Sequence, residues 1–96
     1  ADKIMAAEAH EIGLIYEYIE DDDYDIHLKS RVEYLANGPT VAFAGIKDAM
    51  RKSLTNTLDE QLELEAKLQK KCGNTRDFQE GVLAFHEKRD AKFEGR

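Results

Sequence analysis

Aromatic and cationic residues cluster near the end of the sequence, where their types and spacing could hold a phosphate-bearing ligand. The stretch EGVLAFHEKRDAKFEGR, residues 80–96, sets Phe85 and Phe93 on either side of Lys88 and Arg89. A base can stack on an aromatic ring, a contact worth about 1–3 kcal/mol, while a lysine meets a phosphate. The helix dipole alone also favours cations in a last turn. Two interpretations therefore stay open: a ligand contact by Phe85 and Lys88, or an ordinary helix end.

The other groups that could do chemistry lack partners at the spacing that chemistry requires. Asp21, Asp23 and Asp25 alternate as calcium ligands do, but Ile26 and Val32 stand where that loop has glycine and glutamate. The three histidines have no second histidine or cysteine at ligand spacing, and the single cysteine has no base beside it in sequence. No nucleophile elbow or glycine-rich phosphate loop occurs. We therefore predict no catalytic residue and no metal site in this sequence.

Composition predicts one small, helix-rich domain and argues against some classes of binding partner. The 96 residues carry a net charge of -6, which argues against general nucleic-acid binding. Residues 1–36 hold ten acids against three bases, whereas residues 67–96 hold eight bases against five acids. The basic tail could still hold a small anion. No apolar run reaches the ~18–20 residues that cross a bilayer, no signal peptide is evident, and a lone cysteine favours a reducing cytoplasm.

The first twenty residues predict a short helix followed by a strand. IMAAEAHEIG, residues 4–13, reads as a helix ended by Gly13, since glycine readily adopts the left-handed conformation of a helix end. Residues 14–19 are rich in β-branched and aromatic side chains with an alternating pattern, which favours a strand. A single strand leaves its backbone groups unpaired, so we expect the rest of its sheet to lie elsewhere.

The remainder predicts four helices, at about residues 24–36, 40–53, 57–72 and 75–89. Asn37-Gly38-Pro39 separates the first two, and the Thr57 to Glu60 spacing is a capping box for the third. That third helix has apolar residues over about 200° of its surface, divided by a polar seam at Gln61, Glu65 and Gln69. It is either a bundle helix between two neighbours or a helix whose seam faces a subunit interface or a ligand channel.

Three segments in the same order resemble one known family. AAEAHEIGLIYEYIEDD, NGPTVAFAGIKDAMRKSL and LDEQLELEAKLQKKCGNTRDFQEGVLAFHEKRDAKFEGR are similar to the C-terminal part of enoyl-CoA hydratases and isomerases, the crotonase family. The last includes that family's E-G-x-x-A-F-x-x-K-R-x-x-x-F block. Within the family, the sequence looks most like the phenylacetate-degradation branch, the ring-epoxide isomerases.

The resemblance implies a mainly α segment of a ββα-superhelix fold. Residues 1–20 would end the crotonase core, and residues 21–96 would form a C-terminal helical oligomerisation segment. The parent would hydrate or isomerise an acyl-CoA thioester as a trimer-based homo-oligomer, with no separate cofactor. Phe85 and Lys88 match the block's residues that border CoA, while the family's catalytic residues would lie before this segment, so we expect it to be inactive alone. The missing initiating methionine agrees with a cut from a longer protein. The competing hypothesis is a self-standing helical interaction module with no role in CoA binding.

Overall fold

The computed structural model describes residues 2–96, which form five α-helices and one 3-10 turn. The helices are α1 (Ala6–Glu11), α2 (Tyr24–Ala36), α3 (Thr40–Ser53), α4 (Leu58–Gly73) and α5 (Arg76–Glu87), with the 3-10 turn at Asp21–Asp23. The predicted mainly α class is confirmed, and the four longer helices begin and end within three residues of the predicted bounds.

Local capping sets the start of the two last helices. The Thr57 hydroxyl accepts from the Glu60 backbone N–H, and the Glu60 carboxylate accepts from the Thr57 backbone N–H at 2.8 Å, so the predicted capping box is present. The Thr57 backbone N–H and the Thr57 hydroxyl both donate to the Glu60 carboxylate, and these two hydrogen bonds lower its pKa. The hydroxyl of Thr75 caps α5 in the same way, accepting from the Phe78 backbone N–H at 3.1 Å. Both helix starts are therefore consequences of neighbouring residues in sequence.

The break between α2 and α3 depends on a glycine. A Cβ on Gly38 would lie 2.5 Å from the Phe43 ring and 3.1 Å from the Tyr34 carbonyl oxygen. The ring centroids of Tyr34 and Phe43, one residue on each side of the turn, lie 6.3 Å apart. Pro39 then starts α3 and accepts hydrogen bonds from the next turn through its carbonyl. Only glycine leaves room for this approach of the two helix ends.

The chain divides into two compact units, Ala1–Val32 and Glu33–Arg96. In the second, α4 packs against both α3 and α5. The polar seam of α4 is partly satisfied across the contact with α3, because the Gln61 amide donates to the Ala49 carbonyl at 3.3 Å. Within α4, the same amide also donates to Glu65 at 2.8 Å. The interpretation of α4 as a helix between two neighbours is confirmed for this part of the seam.

The strand predicted for residues 14–19 is wrong. Residues 2–96 contain no β-strand, and the backbone N–H groups of Leu14 and Ile15 both turn back to the Ala9 carbonyl, at 2.8 and 3.3 Å. Gly13 has the predicted left-handed conformation, with φ of 73°. A strand needs a partner for its backbone groups, and none is present in the described chain, so this segment instead closes against α1.

Burial is sparse throughout the described residues. Among residues 2–96, only Ala9, Gly38, Asp77 and Ala84 are buried. Large apolar side chains lie exposed on α3, α4 and α5, among them Ile46, Met50, Leu58, Leu62, Phe78, Val82, Leu83 and Phe85. Apolar surface of this extent is typical of faces that meet other protein.

Candidate functional site at the end of the last helix

A buried carboxylate near the start of α5 holds the end of the chain. Asp77 is only 4% exposed, and its two carboxylate oxygens accept the backbone N–H groups of Glu94, at 2.7 Å, and Gly95, at 2.9 Å. In return, the Asp77 backbone N–H donates to the Arg96 carbonyl at 3.0 Å. These three hydrogen bonds fold residues 90–96 back along α5, so the tail has a fixed path.

A second carboxylate, one turn further along α5, fixes the turn that follows the helix. Glu80 receives the guanidinium of Arg89 through two hydrogen bonds, at 2.6 and 3.0 Å, and the backbone N–H of Lys92 at 2.8 Å. These donors lower the pKa of Glu80 to about 2, and the carboxylates of Glu80 and Glu87 raise the pKa of Arg89. The fork of a guanidinium on a carboxylate fixes orientation as well as distance.

Lys88, directly after α5, ends the helix in a left-handed conformation. Its φ and ψ are 53° and 43°, and in residues 2–96 it is the sole residue other than glycine with positive φ. The Lys88 backbone N–H donates to Phe85, and that of Arg89 donates to Ala84. This is the Schellman arrangement, in which glycine usually takes the left-handed position. A side chain there costs about 1–2 kcal/mol.

The second predicted residue, Phe85, presents its ring to solvent. Its side chain is 82% exposed, and its one aromatic neighbour among the described residues is His86, edge-on at 6.0 Å. The ring forms one end of an apolar groove of about 370 Å³ between α5 and the start of α3. The groove is lined by Pro39, Val41, Ala42, Thr75, Asp77, Phe78, Gly81, Val82, Phe85 and Phe93. An exposed ring beside an apolar groove can receive a planar ligand.

The structure brings Phe85 and Lys88 to the same helix end, linked through their backbones. Sequence reasoning missed Asp77 and Glu80, because neither has a hydrogen-bond partner for its carboxylate close to it in sequence. Their function depends on donors 9 to 18 residues away. The signal available in sequence was the spacing of Glu80 from Arg89 in the family block.

Other features of the described residues were candidates for a functional site, and none has the geometry of an active site. No group of three or more potential metal ligands occurs in residues 2–96. Glu17 pairs with His27 and Arg31, but this cluster is partly exposed. Cys72 is half-buried in a groove between α3 and α4. Within the same residues, no helix is both long enough and apolar enough to cross a bilayer.

Sequence comparisons relate this chain to one group of proteins. The family model described as enoyl-CoA hydratase/isomerase matches residues 1–96. A relative from Rhodobacter capsulatus, named "Probable enoyl-CoA hydratase", is 49% identical over 96 residues, which are 100% of this chain and 37% of the relative. The 1,2-epoxyphenylacetyl-CoA isomerase of Escherichia coli K12 is 37% identical over 98% of this chain and 36% of its own length. The chain thus spans little more than a third of these curated relatives.

Solved structures agree with the sequence comparisons. A Mycobacterium abscessus protein described as an enoyl-CoA hydratase/isomerase superposes with a TM-score of 0.91 at 36% identity, covering 99% of this chain and 36% of that protein. The enoyl-CoA hydratase of Geobacillus kaustophilus HTA426 gives 0.87 at 29% identity, covering 99% of this chain and 36% of that one. Both similarities extend over nearly the whole described chain.

Proposed function

The chain belongs to the enoyl-CoA hydratase/isomerase family, and from this premise we propose that it is the C-terminal helical segment of an acyl-CoA hydratase or isomerase. In the complete enzyme it would serve subunit association and close the CoA end of the site. The observation that carries the proposal is the family's E-G-x-x-A-F-x-x-K-R-x-x-x-F block, residues 80–93, folded as one unit around the end of α5.

The sparse burial supports association with further protein. Two adjoining faces, on α3 and α4, expose Ile46, Met50, Leu58 and Leu62. Covering such surface with other apolar groups stabilises the assembly by about 25 cal/mol per Å² of apolar surface removed from water. A self-standing helical module, the rival function, would have a complete core of its own, and the low burial speaks against it. We propose that the covering protein is the remainder of the enzyme and its neighbouring subunits, in a trimer-based homo-oligomer.

The two predicted site residues suit opposite parts of a CoA molecule. The exposed ring of Phe85 offers a stacking surface for adenine, and the ammonium group of Lys88 offers a cation for a phosphate. No further cofactor is needed for this role. Catalytic groups would come from outside this chain: backbone N–H donors would stabilise a thioester enolate, and a carboxylate would move the proton.

The branch of the family and the compartment are finer proposals. One relative's name refers to 1,2-epoxyphenylacetyl-CoA, which agrees with the resemblance of the sequence to the ring-epoxide isomerases. We propose a phenylacetyl-CoA derivative as the substrate class and the cytoplasm as the location, since the single cysteine suits a reducing compartment.

The test of the proposed CoA contact is Lys88→Ala in the complete enzyme. We expect KM for an acyl-CoA substrate to rise about five- to tenfold with little change in kcat, because the lysine binds a remote part of the substrate equally in the ground and transition states. Lys70→Ala is the matched control, since Lys70 is an exposed lysine on α4. Equal kinetics for the two variants would remove Lys88 from the site.

A further inference from the structure

We propose that Glu80 and Arg89 form a positioning pair for Lys88, so that the two adjacent cations of this turn have different jobs: Arg89 holds the turn and Lys88 binds the ligand. The inference rests on the proposed role of Lys88 in binding CoA. It adds a residue outside the ligand contact, Glu80, on which the orientation of that contact depends.

Lys88 has a backbone conformation that is unusual for its residue type. A helix that ends in a Schellman arrangement takes glycine at the left-handed position at no steric cost, yet this chain has a lysine there. Strained backbone of this kind persists only where the surrounding structure over-determines it, and it clusters at functional sites. The side chain of Lys88 therefore has a use that offsets the conformational cost.

Hydrogen bonds of Glu80 and Arg89 hold the turn that contains Lys88. Glu80 lies about two helical turns before Lys88 and accepts hydrogen bonds from two residues that follow Lys88: from the guanidinium of Arg89 and from the backbone N–H of Lys92. Arg89 is held further by Glu87, at 2.6 Å, and by the Asp90 carbonyl, at 3.0 Å. The chain is thereby tied to α5 directly after the left-handed residue.

The two adjacent cations, Lys88 and Arg89, differ in their partners. The guanidinium nitrogens of Arg89 donate to the carboxylates of Glu80 and Glu87 and to the Asp90 carbonyl. Lys88 is exposed, and no carboxylate of residues 2–96 lies within ion-pairing distance of its ammonium group. Arginine suits the planar, two-point contact and lysine the point contact with a phosphate. In this turn the charge of Arg89 is paired within the chain, whereas the charge of Lys88 is left for a ligand.

The experiment is a double-mutant cycle in the complete enzyme, with free coenzyme A as the titrated ligand. Glu80→Gln is combined with Lys88→Gly, because glycine keeps the left-handed turn while deleting the ammonium group. We expect Glu80→Gln alone to weaken CoA binding about three- to tenfold, with KM raised and kcat retained. In the Lys88→Gly background, Glu80→Gln should have no further effect on binding.

Two further variants keep the outcome clear. Glu63→Gln, which breaks the exposed ion pair with Lys67 on α4, is the matched control and should leave CoA binding unchanged. Arg89→Lys keeps the charge but loses the two-point contact, and it should reproduce the effect of Glu80→Gln even where Glu80→Gln itself folds poorly.

Each result separates the two proposals. Full CoA affinity in both Glu80→Gln and Arg89→Lys, with weaker binding in Lys88→Gly, overturns the positioning role and leaves the CoA contact standing. Effects of Glu80 and Lys88 that simply multiply also overturn it, since Glu80 would then act independently. Unchanged binding in Lys88→Gly overturns the CoA contact itself.

Discussion

The two compact units hold their non-helical segments, the tail after α5 and the segment after α1, by different kinds of contact. In Glu33–Arg96, the tail is held by a buried carboxylate, Asp77, whose partners are backbone N–H groups. In Ala1–Val32, the segment after α1 is held by Glu17, which is about 37% exposed and pairs with the side chains of His27 and Arg31. Hydrogen bonds from backbone N–H groups to a buried carboxylate fix the course of the backbone. Ion pairs between flexible, solvent-exposed side chains constrain the backbone only weakly.

The difference indicates where this chain needs precise geometry. The tail that Asp77 anchors follows the turn that carries Lys88, so precision is found beside the candidate site. The segment held by Glu17 carries no predicted site residue. We therefore expect substitutions of the two anchoring carboxylates to differ in cost.

The largest expected effect is that of Asp77→Asn. The amide oxygen can accept only one of the two backbone N–H groups well, and its own NH2 group then faces the other donor. We expect the free energy of unfolding to fall by about 2–3 kcal/mol, as for a buried polar group left without a partner. Urea unfolding measures it, and Glu17→Gln, expected to cost about 0.5 kcal/mol or less, is the matched control. Equal costs for the two variants would contradict the distinction between the units.

A smaller effect of opposite sign is expected for Lys88→Gly. Glycine relieves the left-handed strain of about 1–2 kcal/mol, and its greater freedom in the unfolded chain cancels part of that gain. The net result should be stabilisation of up to about 1 kcal/mol in the same urea experiment, together with weaker CoA binding. Lys70→Gly, within α4, should instead destabilise by about 1 kcal/mol, because glycine is unfavourable inside a helix. A loss of stability in Lys88→Gly would show that the lysine side chain supports the fold.

The smallest expected effect is a dependence of the free energy of unfolding on pH, caused by the carboxylate of Glu80. Its pKa is lower in the folded chain, about 2, than the ordinary value of 4.5, so the unfolded chain binds more protons between these values. The stabilisation is therefore fully present above about pH 4.5 and is lost as the pH falls towards 2. We expect the stability difference between wild type and Glu80→Gln to shrink over that interval and to be constant from pH 6 to 8. Because the ion pair is open to solvent, added salt should reduce the difference; a difference independent of pH would contradict the assignment.

The failed strand and the missed carboxylates have a common cause. Residues 14–19 have the side chains of a strand, but a strand exists only with a partner for its backbone groups, and the described chain supplies none. Likewise, nothing next to Asp77 in sequence predicts that its carboxylate meets Glu94 and Gly95. Both outcomes depend on groups that are not sequence neighbours, a strand partner that the described residues lack and backbone donors 17 and 18 residues from Asp77, and the local side-chain pattern does not encode either.

By itself, the sequence determined the helices and the family. Pro39, the capping pair of Thr57 and Glu60, and Gly13 act on backbone groups within four residues, so their effect can be predicted from neighbours alone. Only the tertiary structure decided the path of the tail, the pairing of Glu80 with Arg89 and the left-handed turn at Lys88, since lysine has no preference for that conformation. Local hydrogen bonds are encoded by adjacent residues, whereas this turn exists because two distant stretches of chain satisfy one another.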